Sequence, residues 1–292
     1  MEERRRRGDR DRPYEPEVSR PRHTVTDQYR LEDVGKIYSG RQVALGGVDL
    51  LVRRGEKVAL IGPSGAGKTT LFRLLNLTIR PTSGKLLLDG ADVVDLHGKR
   101  LRDARRKIGT IYQQHNLVPR LKVVHNVLCG RLGQWSTARS LWSLARPEEV
   151  DAAYHALKQV GIQEKIFSRT DELSGGQQQR VAIARVLLQN PEVVLADEPV
   201  SSVDPALASS IVKLLIDISE NTHKTLLVNL HSVDLALEFF PRIVGMRSGT
   251  TLFDLRPDQV TEDLLEDLYA GDQAEGESVD MKDEEPSTPI LQ

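Results

Sequence analysis

The sequence predicts an α/β fold: a mainly parallel sheet built around a glycine-rich loop, with a small edge sheet and a separate helical segment. Three observations predict it. The apolar run Val58-Ala59-Leu60-Ile61 ends in a glycine-rich turn that leads straight into a helical stretch, Lys68 to Asn76. Two more buried-strand runs, Glu192 to Ala196 and Thr225 to Leu230, flank a well-marked helix. Strands alternating with helices build βαβ units, and hence a mostly parallel sheet. Residues 114–172 break that rhythm with basic, polar and helical stretches and no convincing strand.

Each element has a local reason. Tyr29 to Val34 and Val48 to Val52 read as short strands of the edge sheet. In the helix between the two buried runs, Asp204 can cap the first turn and Pro205 can open it. Leu207, Ile211, Leu214 and Ile218 then form one apolar stripe. Ser174 is placed to cap a further helix from Gln177 to Leu188. Residues 27–270 therefore read as one folded unit, with a helical subdomain at about 114–175.

Composition narrows the function. The 292 residues are 39% hydrophobic and 28% charged, as in soluble globular proteins, and the formal charge of -2 signals no general binding of nucleic acid. No apolar run approaches the roughly 20 residues that a membrane span needs. A single cysteine, Cys129, excludes an internal disulfide or a cysteine-rich metal cluster. Arg4 to Arg7 are followed by no apolar stretch, so no secretory signal is expected. Residues 1–26 carry eight Arg, six acids and three Pro; residues 272–292 carry seven acids and one Lys. Neither composition buries enough apolar surface to offset ordering, so both ends, 1–26 and 271–292, are expected to be disordered.

The chemistry starts at Gly62-Pro63-Ser64-Gly65-Ala66-Gly67-Lys68-Thr69, which fits G-x-x-x-x-G-K-[ST] between a strand and a helix. Its glycines let successive backbone N–H groups turn inward around phosphate oxygens, and the helix adds its positive end. Lys68 would meet the β- and γ-phosphates, and the Thr69 hydroxyl would ligate Mg²⁺. Downstream, Val193 to Ala196 delivers the adjacent carboxylates Asp197 and Glu198 to the carboxyl end of the sheet, where α/β ligands bind. Alone, such a pair is often a capping turn. Below a phosphate loop, Asp197 suits the Mg²⁺ shell and Glu198 suits a base for the attacking water. Leu173-Ser174-Gly175-Gly176-Gln177 exposes further backbone N–H groups at a helix start, a second anion site on one chain.

With that last segment the chain resembles the ATP-binding cassette (ABC) ATPases, whose hallmark is LSGGQ. The resemblance implies a P-loop (RecA-like) α/β core with an antiparallel β edge sheet and a helical subdomain. It also implies a sandwich homodimer binding ATP and Mg²⁺, with Ser174, Gly175, Gly176 and Gln177 of one copy facing the phosphate loop of the other. The family's remaining motifs occur in order. Tyr38 sits where an aromatic ring stacks on adenine, and the phosphate loop extends through Thr70. Gln113 matches the glutamine linking the Mg²⁺ site to the membrane partner. Ser201-Ser202-Val203-Asp204 matches the loop that communicates across the dimer, and His231 matches the histidine that contacts the γ-phosphate. In this reading Glu198, His231 and Gln113 are catalytic, and Thr69, Gln113 and Asp197 surround the metal.

Within the family, several stretches look like the ATP-binding subunits of phosphonate importers: Gln113 to Val118, Gly130 to Gly133, Arg139 to Leu141, Leu173 to Arg180, Ala196 to Val200, and Val228 to His231 followed by Val233 to Ala236. Asn76-Leu77-Thr78, Tyr112, Ser232 and Ser201-Ser202-Val203 depart mildly from the common pattern without removing a charge or a phosphate contact. The resemblance implies a translocating ATPase at the cytoplasmic face of the inner membrane. It would serve separate permease subunits and, indirectly, an extracytoplasmic binding protein. Importers of phosphate, methionine or polar amino acids remain open, as does a soluble subunit of a phosphonate-degrading assembly. Trp135 and Trp142 are either anchors for the permease or part of the helical subdomain's own packing.

Overall fold

The computed structural model describes residues 27–39, 42–201 and 203–270. The expected disordered ends, 1–26 and 271–292, and Ser202 of the dimer loop lie outside the described residues.

The chain opens with two long strands, β1 (Asp27–Ile37) and β2 (Val43–Arg53). Next come β3 (Lys57–Ile61), α1 (Lys68–Leu75), β4 (Ser83–Leu88) and the two-residue β5 (Ala91–Asp92). The basic helix α2 (Gly98–Arg106) precedes β6 (Ile108–Ile111). A run of helices follows: α3 (Val123–Leu128), α4 (Thr137–Ala145), α5 (Val150–Gln159) and α6 (Gly175–Gln189). Strand β7 (Val193–Asp197), α7 (Pro205–Thr222), β8 (Thr225–Asn229) and α8 (Val233–Phe239) continue the core. The hairpin β9 (Ile243–Arg247) and β10 (Thr250–Leu255) and helix α9 (Glu262–Tyr269) close the described chain.

The strands form two sheets. One is antiparallel, in the order β2-β1-β4-β5; the other has the order β10-β9-β3-β8-β7-β6, parallel except for β10. Burial explains the difference. Strands β3, β7 and β8 are apolar and buried almost throughout, as strands covered on both faces must be. In β2, Val48, Leu50 and Val52 are buried while their neighbours are more exposed, as in a sheet covered on one face. Two apolar cores result. One joins α1 to both sheets through Phe72, Leu74, Tyr29 and Val244, and the other lies on the opposite face of the parallel sheet beneath α3, α5, α6 and α7.

The edge-sheet strands are longer than Tyr29–Val34 and Val48–Val52, because cross-strand pairing carries both past their apolar centres. Between 114 and 172 the described residues contain no strand, only a single bridge between Lys122 and Arg169. Helix α7 begins as expected: Asp204 Oδ1 accepts the Leu207 N–H at 2.9 Å, and Pro205 is its first residue. Its buried face is rotated from the expected stripe, however. Ala208, Ile211, Val212, Leu215, Ile216 and Ser219 face inward, whereas Leu207, Leu214 and Ile218 only flank that face. The helix has apolar residues on more than half its circumference, so periodicity alone does not choose which side meets the sheet.

Candidate functional site: a phosphate loop facing a glutamate–histidine pair

At the carboxyl ends of β3, β7 and β8, a cavity of about 470 Å³ is lined by Tyr38, Gln42, Val43, Ala44, Ser64 to Thr70, Glu198 and His231. Parallel pairing puts them there. Ala59 of β3 lies opposite Val228 of β8, and Asp197 of β7 lies opposite Asn229 of β8. The three loops that follow those strands therefore leave the sheet side by side.

The loop geometry is imposed by glycine. Gly62, Gly65 and Gly67 have φ of 147°, 77° and 96°, values that a side chain rarely tolerates. Gly67 is also crowded: a Cβ there would meet the Ala44 carbonyl oxygen at 2.6 Å and Leu45 Cδ2 at 2.7 Å. Gly67→Ala is expected to weaken the fold by about 1–3 kcal/mol and nucleotide affinity with it, read as a lower melting temperature and a weaker nucleotide titration. Helix α1 starts at Lys68 with no side-chain cap and no acid in its first turn, so its leading N–H groups remain available to an anion. Lys68 is only 5% exposed, and its ammonium donates to the carbonyls of Gly62 at 2.6 Å and Pro63 at 2.9 Å. The loop thus wraps around a buried cation.

Opposite the loop, Glu198 Oε1 and His231 Nε2 are 2.6 Å apart, with the carboxylate 16% and the imidazole 48% exposed. Glu198 adopts φ 51°, a left-handed conformation costly for a residue with a side chain. Its N–H donates to the Asn229 carbonyl at 3.2 Å. Asp197 sits one residue deeper, outside the cavity lining, and accepts Asn229 Nδ2–H at 2.7 Å. Burial holds the Asp197 carboxyl above the usual aspartate range. The Asn229 bond opposes this, the Glu198 charge adds to it, and Arg73 and Lys68 pull downward more weakly.

Two expected site groups stand apart from the cavity. Gln113 is exposed in the turn after β6. Ser174, Gly175, Gly176 and Gln177 open α6 and line no part of it. Ser174 and Gln177 form a reciprocal capping box, each side chain bonding the other's N–H. Gly176 packs on Leu207, and the open space around Gly175 leaves that end accessible. Sequence reading missed Gln42, Val43, Ala44 and Asn229. The first three reach the cavity only because β2 folds back on β1, which no local motif announces. Asn229 had a signal: it is the one polar side chain ending the run Leu226-Leu227-Val228-Asn229.

The ABC transporter family matches residues 45–201. The chain belongs to that family. It is 43% identical over 255 residues to a phosphonates import ATP-binding protein of Halalkalibacterium halodurans, covering 87% of this chain and 99% of the relative. It is 48% identical over 230 residues to a phosphonates import ATP-binding protein of Pseudomonas fluorescens, covering 79% and 87%. Among solved structures it resembles a dimeric ATP-binding cassette in a post-hydrolysis state bound to ADP and Pi, with TM-score 0.65, 32% identity, and 78% and 98% of the two chains covered. The P-loop core, edge sheet and helical insertion are those of an ABC ATPase cassette.

Proposed function

We propose that the chain is the ATP-hydrolysing subunit of an ABC importer that takes up phosphonates. The observation that carries the hydrolytic part is the phosphate loop facing the Glu198–His231 pair across one cavity. The similarity to phosphonate-import ATP-binding proteins over most of both chains carries the solute class. Among the described residues no helix is long and apolar enough to cross a membrane. The similarity to import ATP-binding proteins supports placing translocation in separate permease subunits.

The residues suit ATP·Mg²⁺. Thr69 offers a hydroxyl oxygen at the cavity, and Asp197 offers a part-buried carboxylate that accepts the Asn229 amide. These are hard donors of the kind Mg²⁺ takes. No group of three or more His, Cys, Asp or Glu among the described residues could hold a metal unaided. Such sparse protein ligation fits an ion that takes most of its shell from nucleotide phosphates and water. Bound there, Mg²⁺ would neutralise charge on the β- and γ-phosphates. Lys68 and the N–H groups of Gly65 to Thr69 bind the phosphates, the Tyr38 ring stacks on adenine, and Gln113 links the metal region to the membrane partner. Glu198 accepts the proton of the attacking water, and His231 holds Glu198 in place while offering its imidazole to the γ-phosphate.

In this reading Ser174 to Gln177, which line no part of their own chain's cavity, serve a second copy, and two nucleotides are enclosed at a homodimer interface. The likeness to a dimeric cassette supports it. The segment at 114–175 forms the subdomain that meets the permease at the cytoplasmic face of the inner membrane. On α4, Leu141, Trp142 and Leu144 are each more than half exposed, an apolar patch suited to such a contact. Trp135 is instead half-buried on the core, with the Arg139 guanidinium 4.8 Å from its ring centroid. An extracytoplasmic binding protein supplies solute from the other side.

Uptake of labelled methylphosphonate by phosphorus-starved cells tests the solute. Cells lacking their own copy are to carry either the wild-type chain or Glu198→Gln. Uptake should vanish with Glu198→Gln and resist competition by phosphate. Undiminished uptake in cells that carry no copy of the chain would sink the phosphonate assignment while leaving the ATPase reading intact.

A further inference from the structure

Asn229 has no role in the chemistry assigned above, yet it touches both carboxylate residues. Its side-chain amide donates to Asp197 Oδ1 at 2.7 Å, and its backbone carbonyl accepts the Glu198 N–H at 3.2 Å. It is fully buried, and its Oδ1 accepts no hydrogen bond within the described protein. A buried amide oxygen without a donor is unfavourable. An apolar residue of the same shape would avoid that cost and would match the rest of β8, which is apolar from Leu226 to Val228. What an apolar residue would lose is the donor to Asp197.

The surroundings fix how that donor acts. Asn229 pairs with Asp197 on one side and with Leu60 of the strand leading into the phosphate loop on the other. The neighbouring backbone is committed too, since Leu230 N–H donates to the Leu60 carbonyl at 2.9 Å. Asn229 is thus anchored between the loop-bearing strand and the carboxylate-bearing strand, and its amide fixes one carboxylate oxygen of Asp197. The other oxygen carries no such bond to Asn229. A carboxylate held in this way keeps one oxygen oriented for a cation, as hydrogen-bonded carboxylates around metals do.

We infer that Asn229 is a positioning residue that orients Asp197 for Mg²⁺. The inference rests on the reading of the cavity as an ATP·Mg²⁺ site. It concerns metal affinity, not the hydrolytic step, so nucleotide binding rather than turnover is its measure.

The test titrates Mg²⁺ into the purified full chain with a fluorescent ATP analogue, for wild type, Asn229→Leu and Asn229→Ala. Melting temperatures are recorded in metal-free buffer. Both variants should bind the analogue in chelator about as wild type does. Their half-saturating Mg²⁺ should rise about 10–100-fold, the usual effect of removing a group that bonds a metal ligand. The smaller variant keeps the test open if the larger does not fold. Half-saturation within twofold of wild type in a folded variant overturns the inference and leaves the site reading standing. A wild-type chain whose analogue binding ignores Mg²⁺ overturns both.

Discussion

Glu198→Gln should cut ATP turnover about 10²–10⁴-fold while leaving ATP binding near the wild-type level, because a positioned general base contributes on that scale. The substitution keeps the shape of the side chain. It also keeps an oxygen able to accept from His231 Nε2, now 2.6 Å from the carboxylate, and the backbone bond to Asn229 is untouched. What disappears is the ability to take a proton from water. Binding energy that closes two copies around ATP is then retained, while the step that reopens them is lost. Glu198→Gln should therefore accumulate as a dimer in ATP and Mg²⁺ during size-exclusion chromatography, where wild type passes through that state only transiently. Turnover within threefold of wild type would remove Glu198 from the role of base.

That expectation depends on a contact between residues 33 positions apart. The residues were legible; their meeting was not. The phosphate loop, the strand ending in Asp197-Glu198 and the capped starts at Ser174 and Asp204 are local patterns. In each, a run of under a dozen residues contains the physical reason for its conformation. The pairing of Glu198 with His231 instead requires β7 and β8 to be adjacent and in register, with Asp197 opposite Asn229.

The same distinction explains the strands that sequence reading left out. β6 has only Ile108 and Ile111 around Gly109 and Thr110, and β4 has three leucines behind Ser83, Gly84 and Lys85. These are too short to show a period, and they are strands because neighbouring edges complete their hydrogen bonds. β9 and β10 carry a similar lesson for the loop itself. Gly249, in the turn between them, donates its N–H to the Ala66 carbonyl at 3.1 Å and accepts from Gly46 N–H at 2.9 Å. The phosphate loop is buttressed by a hairpin nearly two hundred residues away in sequence, and nothing in the motif points to it. Helix α7 shows the converse failure: its period was readable, but its phase was decided by the sheet it packs on.

Lys68→Ala should lower affinity for ATP by roughly a hundredfold, the equivalent of about 3 kcal/mol for losing charged hydrogen bonds at a shielded site. Two effects combine. The cation proposed to meet the β- and γ-phosphates is removed, and so is the donor on which the Gly62 and Pro63 carbonyls converge. The second effect acts without nucleotide: both carbonyls lose a partner, so the variant should also melt lower in nucleotide-free buffer. Two thermal scans separate the contributions, because ligand bound to the folded state alone raises stability in proportion to the logarithm of its concentration over Kd. Wild type should gain melting temperature steadily as ATP·Mg²⁺ rises through the millimolar range. Lys68→Ala should start lower and gain little over the same range. If the variant started lower but gained as much as wild type, Lys68 would be a strut of the loop and not a phosphate ligand. The buried ammonium would then owe its place to the two carbonyls alone.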